Sequence, residues 1–88
     1  MIIRSKADVD QFCEKFGELA SWDGKKHYIA LEDEENNGTL TFMQYPDGTL
    51  TVHRKYQTFW DINELPVEGK DIWRYRKVVN SYLKTINN

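Results

Sequence analysis

Little in this chain would staple, interrupt or anchor it. One cysteine cannot close an internal disulfide, and with only two histidines beside it a structural zinc site would need carboxylate ligands. A reducing compartment fits that usage, and the expected location is the cytoplasm. Two prolines and five glycines are too few for a linker or a low-complexity tract. Met1-Ile2-Ile3-Arg4 lacks the apolar run of a signal peptide, and no stretch approaches the roughly 20 apolar residues of a membrane span, so no membrane partner is expected. Neither charge sign dominates. Twelve Lys and Arg against fourteen Asp and Glu leave a formal net charge of −2, with no global pull toward nucleic acid. The sequence also has no phosphate-cradling glycine loop, no metal-ligand cluster and no paired nucleophile and base. The expectation is therefore a non-enzymatic protein with no cofactor and no metal.

What is present is a β-hairpin. Gly38 to Arg54 reads as two β-rich runs around Tyr45-Pro46-Asp47-Gly48, where Pro46 presets φ, Asp47 bonds its own backbone and Gly48 takes a positive φ. A Pro46-Asp47-Gly48 loop sets Tyr45 opposite Thr49, Phe42 opposite Val52 and Met43 opposite Thr51. Leu40, Phe42, Leu50 and Val52 then share one apolar face, and Met43 and Thr51 share the other. A further strand over Lys26 to Glu32 puts Ile29 and Leu31 on one face. Asn37-Gly38 reads as a two-residue hairpin turn, whose parity places Ile29 and Leu31 beside Leu40 and Phe42; a three-residue loop would flip them.

Helices flank these strands. Ser5 with Asp8 resembles a capping box and starts a helix near Lys6, on which Val9, Phe12, Cys13, Phe16, Leu19 and Ala20 form one stripe. Cys13 on that stripe is expected to act as a small buried hydrophobe. The second helix spans Lys70 to Ile86, with Ile72, Tyr75, Val79, Tyr82, Leu83 and Ile86 facing the core and Lys70, Arg74, Lys77, Ser81 and Lys84 nearly opposite. Met1 to Arg4 and Tyr56 to Ile62 are β-prone, the latter able to extend the third strand or form a fourth. The expected architecture is one α+β domain over residues 1–88: a two-layer sandwich of helix, three-stranded antiparallel sheet and helix, αβββα, with room for an extra short edge strand.

Function is carried by surface residues. Trp73 falls outside the apolar stripe, toward Lys77, Asn80 and Lys84, as an interface anchor would. The candidate partner-binding set is Trp73, Arg74, Lys77, Lys84 and Lys70, on a small protein-binding domain of the inhibitor, immunity or adaptor kind that phages and mobile elements carry. Another protein is the expected partner, and a homo-oligomer would hide Trp73 or the sheet's second face. The alternative is nucleic-acid binding through the basic second helix, because αβββα is also the element order of double-stranded RNA-binding domains. Here Trp73, Tyr75 and Tyr82 stand in place of that helix's alanine-rich packing. His27 and His53 are strand residues without a carboxylate placed to orient them. Asp33, Glu35, Asn37 and Gly38 approach the spacing of a calcium loop, but Gln44 stands where its bidentate glutamate belongs. An acidic hairpin tip over Glu32 to Glu35 is the expectation there.

Overall fold

The computed structural model describes residues 1–57, 59–60 and 63–86, with the side chains of 59 and 60 excepted. Ser5 caps the first helix, α1 (Lys6–Glu14): its Oγ accepts the Asp8 N–H at 3.3 Å, while the Asp8 carboxylate accepts the Arg4 N–H at 2.9 Å. The period continues into a short α2 (Phe16–Leu19) after Lys15 leaves helical geometry. Two short strands and three long ones follow, β1 (Ser21–Trp22), β2 (His27–Asp33), β3 (Gly38–Gln44), β4 (Leu50–Tyr56) and β5 (Phe59–Trp60), then β6 (Leu65–Pro66). They form one antiparallel sheet in the order β1-β2-β3-β4-β5, and β6 pairs with β4 beside β5. The chain closes with α3 (Gly69–Arg74) and α4 (Arg76–Ile86). The fold is α+β. Beyond the three central strands, β1 lies on one edge; on the other the aromatic run after Arg54 ends β4 and forms β5, with β6 beside it, and residues 58, 61 and 62 of that run lie outside the described part.

The β3–β4 hairpin has the register its turn dictates. Phe42 pairs with Val52 and Met43 with Thr51, the Tyr45 N–H donates to the Thr49 carbonyl at 3.0 Å, and Gly48 has a φ of 91°. The β2–β3 connection differs. Its loop is four residues, 34–37, with Asp33 opposite Gly38, so the two-residue Asn37-Gly38 turn is corrected while the parity, Ile29 opposite Phe42, survives. Asn37 takes the left-handed conformation at φ 52°, and the Asp33 carboxylate accepts from the Asn36 backbone at 3.3 Å and from Asn36 Nδ2 at 2.9 Å. Those bonds stabilise the longer loop. Gly38 serves packing rather than the turn: a Cβ there would overlap the Tyr56 ring and stand 2.6 Å from the Lys55 carbonyl oxygen.

Ile29, Leu31, Leu40, Phe42 and Val52 from one sheet face join Val9, Phe12 and Phe16 of the first helices and Ile72, Val79 and Leu83 of the last in a single cluster. Phe12 and Phe16 meet edge to face at 5.9 Å. Cys13 lies half-buried against this cluster, its thiol pKa raised by burial and by Asp10. Ile3 is buried too, although residues 1–4 form no strand; the Asn80 amide accepts its N–H at 2.7 Å and donates to its carbonyl at 3.0 Å. The long second helix is corrected to two, broken at Tyr75, whose ring turns toward Phe42 at 6.2 Å. Ile86 leaves the core stripe at 42% exposure.

The second sheet face is less open than alternation suggests. Met43 and Thr51 are buried there, where the Glu64 carboxylate accepts from Thr51 Oγ1 at 2.9 Å and from the Tyr45 hydroxyl at 2.6 Å. Tyr56 also carries a testable consequence. Burial first, then the nearby Tyr75 and Asp33, raise its phenol pKa to about 12, above its ordinary 10. A pKa raised on folding favours the neutral phenol, so this stability is intact below pH 10 and is lost as pH rises from 10 toward 12. The unfolding midpoint is expected to fall across that window, and Tyr56→Phe should flatten the fall. An unchanged alkaline slope in the variant would count against it.

Candidate protein-docking site

The hydrogen-bond parity of the sheet leaves one long edge partly uncovered. Tyr45 N–H donates to Thr49 and Gln57 N–H to the Asn37 carbonyl at 3.1 Å, so odd-numbered positions along β3 turn their backbone groups toward β4. Even-numbered ones turn toward β2. Leu40 opposes Leu31 and Phe42 opposes Ile29, so Ile29 and Leu31 bond to β3 while the N–H and C=O of Ala30 and Glu32 point away from it. On that outer side β1 covers only His27 and Tyr28. Among the described residues no strand pairs with β2 beyond Tyr28 there.

Helix α4 runs beside this edge and makes a groove of about 560 Å³ with it. The strand side is lined by Leu31, Glu32 and Glu34, and the helix side by Lys77, Val78 and Tyr82. Tyr82 is held from below, where its hydroxyl donates to the Leu19 carbonyl at 2.6 Å and burial raises its pKa. A second hollow of about 370 Å³ continues past the hairpin tip, between Asp33, Glu35 and Asn36 on one side and Arg74, Arg76 and Lys77 on the other. The walls therefore carry opposite signs. An apolar floor at Val78 and Tyr82 runs between an acidic strand edge and a basic helix, an arrangement that suits a charged, partly apolar chain segment. The chain matches no known protein-family model, no curated protein and no solved structure.

The five expected partner-binding residues are distributed unevenly around this groove. Lys77 lines both hollows and Arg74 the second. Lys84 is exposed in the last turn of α4, seven positions after Lys77 and on the same side of the helix. Lys70 stands apart at the start of α3, where its ammonium lies 3.2 Å from the Glu68 carboxylate. Trp73 is half-buried and packs against the core, and the Arg76 guanidinium stacks over its ring at 4.3 Å while donating to the Trp73 carbonyl at 3.1 Å. Packing of Trp73 against Phe59 or Trp60 lies outside the described residues, since the side chains of 59 and 60 are not described.

Arg76 and the free edge of β2 were not singled out from the sequence. Arg76 follows Trp73 by three positions, a spacing at which helical side chains meet, and that signal was legible. The edge had none, because pairing partners are a property of the sheet. Elsewhere, Trp22 is 54% exposed and its ring lies 4.8 Å from that of His27. Asp23 accepts from the Lys25 and Lys26 N–H groups, both at 2.9 Å, and these bonds lower its pKa to about 2. The segment with calcium-loop spacing forms the hairpin tip, where Asp33 is buried at 4% exposure and Gly38 already belongs to β3. Among the described residues no group of three His, Cys, Asp or Glu is placed to hold a metal ion, and no helix is long and apolar enough to cross a membrane.

Proposed function

We propose that this chain is a small, non-enzymatic protein-binding domain that acts by occupying a surface of another protein, in the manner of an inhibitor, immunity protein or adaptor. The observation that carries the proposal is the groove between the acidic edge of β2 and the basic side of α4, with Val78 and Tyr82 at its floor. Lys77 and Lys84 steer the acidic groups of a mixed-charge partner toward it, and Arg74 extends the basic border, while Lys70 stands apart at the start of α3. Trp73 lines neither hollow, but Arg76, which borders the second one, stacks over its ring, and its half-buried indole supplies apolar area beside the basic border.

Copurification from the native host followed by mass spectrometry identifies the partner. Reversing charge at Lys77 and Lys84 is expected to slow association about tenfold while leaving the unfolding midpoint nearly unchanged, because exposed rim charges steer encounter more than they hold a complex. Trp73→Ala is expected to weaken binding by about 2 kcal/mol beyond its effect on the folded fraction. Binding that ignores both changes overturns the proposal. Nucleic acid is the competing partner, and the acidic wall formed by Glu32, Glu34 and Glu35 opposes it by repelling phosphate. Copurified nucleic acid whose retention falls steeply with salt and is lost on neutralising Lys70, Arg74 and Lys77 would decide for that alternative.

A further inference from the structure

The groove has the parts of a strand-addition site. Its upper wall is a strand edge with outward N–H and C=O groups at Ala30 and Glu32, and its floor is apolar at Val78 and Tyr82. We infer that the occupant is an extended segment of a partner protein that adds to the free edge of β2 as a further strand. This rests on the protein-docking proposal and specifies how the docking occurs. Backbone hydrogen bonds to Ala30 and Glu32 hold the segment, and alternate side chains give it specificity.

The pleat decides which side chains those are. Residues of the added strand lying opposite Leu31 point to the helix side, toward Val78 and Tyr82, and there the fit is to apolar groups. Residues opposite Ala30 and Glu32 point to the outer face, where Glu32 is exposed and Glu34 follows at the tip. Basic groups fit there. The segment is therefore one that alternates apolar with Lys or Arg residues.

A second copy of this chain fits less well. With the two β2 strands antiparallel and centred on Leu31, Glu34 of the second copy would need the position opposite Tyr28 that Ser21 already fills. Such pairing would also bring the two Glu32 side chains to diagonal positions and set the Lys77 and Lys84 sides of two α4 helices against each other. Like charges would meet on both faces.

The test uses a capped heptapeptide alternating valine and lysine against the whole chain, followed by amide hydrogen exchange and titration. Exchange at Ala30 and Glu32 is expected to slow about tenfold or more at saturation. A version N-methylated at alternate residues should fail to bind, and one alternating valine and glutamate should bind more weakly. Ala30→Pro removes an outward N–H without touching the β2–β3 ladder, and should weaken peptide binding at least about tenfold. Glu32→Lys should invert the preference between the lysine and glutamate peptides, and serves where Ala30→Pro does not fold. Strand addition is overturned by failure of the valine–lysine peptide to bind, by undiminished binding of the N-methylated peptide, or by exchange at Ala30 and Glu32 that changes only with self-association. Partner capture lost in Lys77→Glu yet kept in Ala30→Pro would sink strand addition and leave protein docking standing. Capture kept in both would sink the docking proposal itself.

Discussion

Phe42→Ala is expected to destabilise the chain by about 3–5 kcal/mol, the range for deleting a phenyl ring from a core that cannot collapse around the gap. Phe42 is 0% exposed on the central strand, paired with Ile29 on one side and Val52 on the other, and its ring faces that of Tyr75. Domains of this size hold only about 5–15 kcal/mol in total, so urea unfolding should show a midpoint shifted far down or a population already unfolded in water. Thr51→Ala, on the neighbouring strand and the opposite face, is expected to cost only about 1–2 kcal/mol, mostly the hydrogen bond its hydroxyl donates to Glu64. Alternation alone suggests less than about 1 kcal/mol for an outward threonine. A Thr51 loss equal to that at Phe42 would contradict the division of the sheet into a helix-covered face and a Glu64-covered one.

Gly38→Ala is expected to cost about 2–3 kcal/mol despite adding a single methyl, because overpacking against backbone cannot be relieved by rotating a side chain. The new Cβ would overlap the near edge of the Tyr56 ring and would stand 2.6 Å from the Lys55 carbonyl oxygen, which cannot move without opening the β3–β4 ladder. Shortening the ring by Tyr56→Ala should therefore rescue only part of the loss. Full rescue would assign the strain to the ring alone. Gly48→Ala tests a different cause, since nothing lies within 4 Å of a Cβ there and its cost would come from the positive φ of 91°. Chemical denaturation followed by circular dichroism measures each loss, the first from strain at the end of the β2–β3–β4 ladder, where Gly38 pairs with Asp33 and Tyr56, and the second from the β3–β4 turn.

The sequence alone determined the elements whose cause is local. Pro46, Asp47 and Gly48 specify a turn by their own backbone chemistry, and the turn then dictates every pair from Tyr45 with Thr49 down to Phe42 with Val52. Ser5 and Asp8 likewise set where α1 starts, and the stripe through Val9, Phe12 and Phe16 names the buried side of α1 and α2. The class, α+β with an antiparallel sheet, follows from those periods. Even the wrong loop at Asn37-Gly38 yielded the right face, because a two-residue and a four-residue loop share the same parity.

Tertiary structure decided what depends on distant neighbours. The helix is interrupted at Tyr75, whose backbone leaves helical geometry while its ring lies 6.2 Å from that of Phe42, and Gly38 is required by Tyr56 on the next strand rather than by its own turn. Met43 and Thr51 are buried on the second face, where the Thr51 hydroxyl donates to Glu64, a residue thirteen positions on that only the folded chain brings there. Trp73 left the apolar stripe of a helical wheel yet still reached the core, since the break at Tyr75 separates α3 from α4 and voids the single wheel on which it was placed. The free edge of β2 is the clearest case. Whether the N–H of Ala30 meets another strand depends on β1 stopping at Trp22, and whether a groove lies beneath it depends on where α4 packs. Both are settled by chain segments some 10 and 50 residues away in sequence, and no local pattern of side chains records them.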